Sequence, residues 1–196
     1  MESSIAIVPA IKSLTLRHVG CWEHVALEFL PGLNIITEEG SAWGKTTIFE
    51  AIMHALMPTA LEHRPPVTIG FEEGSISMEF MSTSHIVRLQ SSTETLLREK
   101  MEPRGEYLLS QLKVRLNDAT PNYALLIEDE VAACLDEPHY AEAVKLLNSA
   151  RCQVIFQISH RLDCRSFPGA RIYACYEHTR GKPGMKLLQA GGNEAL

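Results

Sequence analysis

A Gly-Lys-Thr triplet at residues 44–46 is the strongest chemical signal in the sequence. It stands between an apolar segment, Leu33–Thr37, and an amphipathic segment that begins at Ile48. In the phosphate-loop pattern GxxxxGK[ST], the lysine reaches the β and γ phosphates of a nucleotide and the hydroxyl residue ligates Mg²⁺. The first amides of the following helix add the positive end of a dipole. Lys45 and Thr46 are therefore candidate ligands for phosphate and Mg²⁺.

The loop departs from this pattern at its start. Glu39 occupies the position of the first glycine, Gly40 comes one place late, and Trp43 stands where a small residue is usual. Glu38 and Glu39 put two carboxylates where phosphates would arrive. Two interpretations stay open: a nucleotide loop of altered affinity, or a loop that has kept its shape and lost its ligand. The candidate nucleotide-binding residues of this segment are Gly40, Gly44, Lys45, Thr46 and Thr47.

An acidic run follows the apolar segment Tyr123–Ile127. It consists of residues 128–130, Glu-Asp-Glu, and a second apolar segment, Gln153–Ile158, leads to His160. Open α/β sheets place their chemistry at the carboxyl ends of strands. There one carboxylate can hold Mg²⁺, a neighbouring one can orient or deprotonate a water, and the histidine can contact a phosphate. The competing interpretation is a solvated acidic loop and a structural histidine.

The hydrophobic pattern around these residues predicts an α/β fold with a mixed central sheet flanked by helices. The hairpins expected at the start and middle of the chain are the reason for expecting a mixed sheet. Helices are predicted at Ile48–Leu56, Glu106–Leu116 and His139–Ala150. Strands are predicted at Ile11–Val19, Val25–Leu30, Leu33–Thr37, Ser75–Met81, His85–Gln90, Tyr123–Ile127, Gln153–Ile158, Arg171–Cys175 and Met185–Leu188.

The charge of the chain is acidic overall but unevenly distributed. The net charge is −6. Residues 1–150 carry 11 basic and 21 acidic side chains, whereas residues 151–196 carry 7 basic and 3 acidic ones. The basic segment has two interpretations: a solvated face, or a surface for a phosphate backbone that uses Arg161, Arg165 and Arg171. The whole chain does not have the composition of a general nucleic-acid binder.

The composition also indicates in which cellular compartment the protein would work and whether its cysteines could bind a metal. The first residues do not have the pattern of a secretory signal, and no apolar run approaches the roughly 20 residues that span a bilayer. Its five cysteines are scattered and odd in number, which favours a reducing compartment. We therefore expect no membrane association and a cytoplasmic protein, or a nuclear or organellar one in a eukaryote. Cys152, His160 and Cys164 do not have the spacing of a zinc site.

Four segments together resemble the heads of SMC and RecF-type ABC ATPases. They are LTLRHVGCWEHVALEFLPGLNIIT, DEVAACLD, CQVIFQISHR and GARIYACYEHTRGKPGMKLL, which start at residues 14, 129, 152 and 169. The resemblance implies a single head domain over residues 1–196, a P-loop NTPase of the ABC-ATPase type. It also implies ATP and Mg²⁺ as cofactors. By the same resemblance, Lys45 and Thr46 bind phosphate and Mg²⁺, and Asp129 is the Walker B acid and second metal ligand. The resemblance also makes Glu130 the catalytic base and His160 the switch residue. Asp136 would be the D-loop residue at a dimer interface.

Two further departures from the family concern the signature motif and the coiled-coil arm. Pro103-Arg104-Gly105-Glu106 stands near the signature position, and only Gly105 and Glu106 match, so Gly105 is the candidate contact to nucleotide on a second subunit. About 45 residues without sustained heptads replace the arm.

The resemblance implies an ATP-driven dimerisation switch in DNA maintenance, repair or defence. Its partner would be a second head, identical or different, with DNA and a nuclease or SMC-complex subunit as further partners. The alternatives are a pseudo-ATPase subunit and, less favoured, the nucleotide-binding subunit of a transporter. Replacing Lys45 by alanine is expected to remove nucleotide binding and leave the fold intact.

Overall fold

The structure, a computed structural model, describes ten stretches of the chain. They are residues 10–39, 44–56, 67–81, 109–110, 112–114, 125–128, 135–150, 152–157, 163–179 and 181–191. The elements within them are β1 (Ile11–Val19), β2 (Trp22–Glu28), β3 (Leu33–Glu38), α1 (Lys45–Leu56), β4 (Ser75–Phe80), β5 (Leu125–Glu128), α2 (Glu137–Asn148), β6 (Gln153–Gln157), β7 (Arg171–Thr179) and β8 (Lys182–Gln189). Within these stretches no helix is long and apolar enough to cross a membrane.

Most predicted elements are confirmed, with shifts at their ends. The bounds of β1 agree with the prediction to the residue, while β2 begins three residues early because Trp22 pairs with Val19 across a tight turn. Helix α1 begins at Lys45 and not at Ile48, so the lysine is already helical. The described part of the helix predicted at Glu106–Leu116 is helical, and the strand predicted at His85–Gln90 lies outside the described residues.

Within the described residues the strands form two sheets. The larger has the order β5-β6-β3-β7-β8, in which β5, β6, β3 and β7 run parallel and β8 is antiparallel to β7. The smaller is antiparallel, with the order β2-β1-β4. The predicted mixed central sheet is confirmed. Its antiparallel strand comes from the β7–β8 hairpin at the end of the chain, whereas the opening hairpin belongs to the second sheet.

The two faces of the large sheet bury separate cores. Ile36 of β3 faces one side and packs with Ile48 and Ile52 of α1 and with the small sheet. Ile35, its neighbour in sequence, faces the other side and packs with Leu147 of α2. This alternation follows from the period of two in a strand, and because both faces are covered, β3 is buried along most of its length. The end of β3 is therefore held from both sides.

Buried polar groups join the two sheets. The Gln153 amide of β6 accepts from the Ile11 backbone N–H at 2.8 Å and donates to the Ile11 and Leu30 carbonyls at 2.7 and 2.8 Å. The Tyr173 hydroxyl of β7 donates to the Glu28 carbonyl at 2.9 Å and accepts from its N–H at 3.1 Å. Buried polar groups are costly unless they are paired, so these bonds fix the position of the small sheet relative to the large one.

In the described part of residues 151–196, Arg171, Lys182 and Lys186 are used in contacts with distant segments of the chain. Arg171 donates to the carbonyls of Ala190 at 2.9 Å and of Glu28 at 3.2 Å, and its side chain is only 17% exposed. Lys182 pairs with Glu23 at 2.6 Å. Arg171 is therefore not part of a free basic surface, contrary to the interpretation that grouped it with Arg161 and Arg165. Charge counting missed this because the acidic partners lie more than a hundred residues earlier in the chain.

Candidate nucleotide-binding site

The candidate site lies at the carboxyl end of β3, in the middle of the large sheet. Parallel strands β6 and β7 flank β3, and β5 lies beside β6. In the register of the sheet, Gln157 at the end of β6 pairs with Ile36, two residues before the end of β3. Glu128 at the end of β5 pairs with Phe156 of β6, one residue further back. The carboxyl ends of these strands form the edge at which open α/β sheets bind ligands.

Gly44 marks the end of the phosphate loop and has no room for a side chain. Its φ of +87° lies in the left-handed region. A Cβ at this position would lie 2.5 Å from Cys21 Sγ and 2.7 Å from Trp22 Nε1. Trp22 is buried, and its Nε1 donates to the Gly44 carbonyl at 3.0 Å. Both the backbone conformation and the packing therefore require glycine here.

The turn of the β1–β2 hairpin packs against the first turn of α1. Gly20 has φ +58°, and a Cβ there would lie 2.5 Å from Thr47 Cγ2. Partial burial raises the pKa of the Cys21 thiol, and a hydrogen bond with Thr47 offsets only part of this rise. The nucleotide-loop motif does not include Gly20, Cys21 or Trp22, because their contact with the start of α1 depends on how the two sheets pack. The only signal in the sequence is a glycine in a hairpin turn.

Lys45 forms a buried ion pair with Glu38. Its Nζ lies 2.6 Å from Glu38 Oε1, and both side chains are 6% exposed. Glu38 is the last residue of β3 and Lys45 is the first of α1, so the pair joins the two ends of the loop. An ammonium group and the amino end of a helix are suited to an anion. The anion described beside Lys45 is the protein's own carboxylate.

Glu39, which replaces the first glycine of the pattern, is directed away from this pair. Its carboxylate lies 2.6 Å from Lys186 Nζ on β8, and both side chains are about half exposed, at 53% and 42%. Its backbone N–H donates to the Cys175 carbonyl at 2.8 Å. Cys175 is level with Glu38 on β7, and burial raises the pKa of its thiol to about 12, so the thiol is neutral at physiological pH.

Asp136 caps helix α2. Its side chain accepts from the backbone N–H of His139 at 3.1 Å and also contacts the His139 ring at Nδ1. These bonds, the backbone one first, lower the pKa of the Asp136 carboxyl. An aspartate at this position is a favoured N-cap. Asp136 therefore has a local structural role, and its side chain is 64% exposed, which leaves it accessible to a partner.

The structure brings together some of the predicted site residues. Gly44, Lys45, Thr46 and Thr47 lie consecutively at the start of α1, and Thr46 is exposed there. Asp136 stands at the start of a different helix, α2. Among the described residues no three His, Cys, Asp or Glu side chains form a metal-binding group. The remaining candidates lie outside the described residues: Gly40, Gly105, Asp129, Glu130 and His160.

The fold is similar to that of SMC head domains. The SMC head domain from Thermotoga maritima matches with a TM-score of 0.56 and 11% sequence identity, over 92% of this chain and 100% of that chain. An SMC head bound to the C-winged helix domain of ScpA matches with a TM-score of 0.59 and 10% identity, over 92% of this chain and 98% of that one. No protein-family model and no curated protein matches the sequence.

Proposed function

We propose that this chain, which has the α/β P-loop NTPase fold of SMC-type ABC ATPase heads, binds ATP and Mg²⁺ at the end of β3. The observation that carries this proposal is the position of Lys45. It is the first residue of the helix that follows the central strand, directly after a glycine that admits no side chain. That arrangement presents an ammonium group, helix amides and the Thr46 hydroxyl in one place.

The described residues suit the phosphate end of a nucleotide in part. Lys45 and the first amides of α1 would hold the phosphates, and Thr46 would ligate Mg²⁺, which would neutralise charge on the phosphates. Asp129 as second metal ligand, Glu130 as catalytic base and His160 as switch residue stay hypotheses. They are supported by β5 and β6, which end at the same edge as β3. The proposal of ATP binding thus rests on described residues, whereas the proposal of hydrolysis rests on Asp129, Glu130 and His160, which lie outside them.

We extend the proposal to association. One structural neighbour is an SMC head bound to a winged-helix domain, and by analogy we propose a second head and a further protein as partners. Asp136, exposed at the start of α2, and Gly105 would contribute to the interface with a second head. A role in DNA maintenance, repair or defence belongs to the same analogy. Direct DNA binding is less favoured, because Arg171 and Lys182 already have acidic or carbonyl partners.

The buried Glu38–Lys45 pair favours a second candidate function. A carboxylate that permanently neutralises Lys45 would make this chain a pseudo-ATPase, a structural or regulatory subunit that binds no nucleotide. The two candidates differ in one measurable property, which is the affinity for Mg-ATP. Both are compatible with a head that associates with a partner.

The test compares two double variants that each replace both charged residues of one ion pair by neutral ones. Glu38→Gln with Lys45→Met alters the loop, and Glu23→Gln with Lys182→Met alters a pair of the same 2.6 Å length between β2 and β8. Calorimetric titration with Mg-ATP should show binding to the wild type and to the control, and none to the loop variant. Equal binding to all three would refute the assignment of Lys45. Absence of binding to the wild type and the control would leave the pseudo-ATPase, provided that Glu38→Gln alone also fails to bind.

The association step is tested with Glu130→Gln. Removing the proposed base should trap an ATP-bound state, and light scattering should then report a dimer with Mg-ATP and a monomer without it. Lys182→Met is a suitable control, since it changes an exposed charge on β8. A monomer under both conditions, in a variant that retains bound ATP, would contradict a homodimeric switch.

A further inference from the structure

We propose that Glu38 is an internal competitor of nucleotide, and that its carboxylate holds Lys45 until phosphate displaces it. We call the Glu38–Lys45 ion pair the clasp. This inference rests on the proposed function, because it concerns the regulation of the same site. It assigns a role to a residue that lies just before the phosphate-loop pattern and that the pattern does not include.

The clasp involves the lysine that would contact the phosphates. Glu38 is the last residue of β3 and Lys45 is the first residue of α1, so the clasp connects the end of the strand to the start of the helix. The N–O distance of 2.6 Å is that of a strong charge-assisted hydrogen bond, and each side chain is 6% exposed. Cys175, level with Glu38 on the neighbouring strand, is a neutral thiol and adds no positive charge that could replace Lys45.

Competition follows from charge. A phosphate that contacts the Lys45 ammonium would lie within a few ångströms of the Glu38 carboxylate, in a place where little water screens the two negative groups. Nucleotide binding therefore requires the carboxylate to move away from Lys45 or to stay at the cost of repulsion. Either way the measured affinity is lower than that of the same loop without the carboxylate.

The comparison with Glu39 separates the clasp from a general effect of acidic residues. Glu39 occupies the position of the missing first glycine. A comparison with the motif alone would therefore attribute weak nucleotide binding to Glu39. Its side chain, however, pairs with Lys186 on β8 and is half exposed. The residue that determines affinity is therefore Glu38, and the substitution at position 39 is the less important departure.

The experiment measures Mg-ATP affinity for the wild type, Glu38→Gln and the matched variant Glu39→Gln, by calorimetry at two salt concentrations. Glutamine keeps the size of the side chain and its acceptor oxygen, so Lys45 retains a hydrogen-bond partner. Glu38→Gln should bind at least tenfold more tightly than the wild type, with the gain nearly independent of salt. Glu39→Gln should change affinity less than threefold. If the glutamine variant does not fold, Glu38→Asp retracts the carboxylate and should also tighten binding, by a smaller factor.

The outcomes distinguish this inference from the proposed function. Binding to Glu38→Gln with no binding to the wild type supports both, with a clasp that is closed under the assay conditions. Equal affinity of the wild type and Glu38→Gln, or an equal gain in Glu39→Gln, overturns the clasp and leaves nucleotide binding intact. Absence of binding to every variant overturns both.

Discussion

Removing the lysine of the Glu38–Lys45 pair should destabilise the fold, and removing both partners should restore most of the loss. In Lys45→Met the Glu38 carboxylate stays buried without its ammonium partner. At the 2.6 Å separation, Coulomb's law with an effective dielectric constant of about 20 gives an attraction of about 6 kcal/mol. Desolvation offsets part of this, and breaking a buried pair typically costs about 3–5 kcal/mol.

The double variant Glu38→Gln with Lys45→Met lacks both charges of the pair. Its free energy of unfolding should lie within about 2 kcal/mol of the wild type, because replacing a whole buried pair by neutral groups is often close to neutral. Glu38→Gln alone should cost less than Lys45→Met, since the amide oxygen still accepts from the amine. The resulting coupling energy between positions 38 and 45 is expected to be about 2–3 kcal/mol.

Urea unfolding without nucleotide, followed by circular dichroism, measures all four proteins of this cycle. The Glu23–Lys182 cycle is the control, and its coupling should fall as salt is raised because both side chains are more than half exposed. Additive effects at positions 38 and 45, within about 0.5 kcal/mol, would refute the buried pair. The cycle also tests the expectation from sequence that loss of Lys45 leaves the fold intact.

Two further predictions concern the junction of the sheets and the strand beside the loop. Gln153→Leu leaves the Ile11 N–H and carbonyl without their buried partner. A urea titration should therefore show a free energy of unfolding about 2–4 kcal/mol lower than that of the wild type. A loss below about 0.5 kcal/mol would contradict the role of this amide. The Cys175 thiol, with a pKa raised from 9.0 to about 12, keeps its proton in the folded chain at pH values where an unfolded thiol ionises. Since the folded state then binds more protons, the free energy of unfolding should fall by about 1.4 kcal/mol per pH unit between those two values. Melting experiments should show a smaller alkaline loss for Cys175→Ala, and an unchanged loss would count against a neutral buried thiol.

The sequence predicted best those features that depend on neighbouring residues. Strand β1 alternates, α1 has an apolar stripe, and the Gly44–Thr46 motif needs only a strand before it and a helix after it, so all three could be read locally. The mixed sheet was also predicted, but not the hairpin that makes it mixed, because strand order depends on long-range pairing. β3 lies between β6 and β7, and no local pattern contains that information.

Contacts between distant segments were the part of the site that the sequence did not reveal. Trp22 donates to Gly44 only because the small sheet packs against α1. Glu38 was recognised as an unfavourable charge near phosphate, but its partner, seven residues later, depends on the path of the loop. Arg171 was grouped with surface arginines because its acceptor at Glu28 is 143 residues earlier in the chain. In each case the missing information was three-dimensional proximity.

The central position of β3 has a consequence for the order in which this chain folds during synthesis. Its register partners on one side begin at Val154 and on the other at Arg171. A ribosome that has released β3 and α1 has therefore produced the proposed phosphate-binding segment long before either neighbouring strand of β3 exists. Strand pairings between residues this distant in sequence slow folding. Until β6 and β7 have been synthesised, both edges of β3 lack their hydrogen-bonding partners. We expect the nascent chain to acquire its loop conformation late, and truncation before Arg171 to leave β3 without β7 and exposed to aggregation.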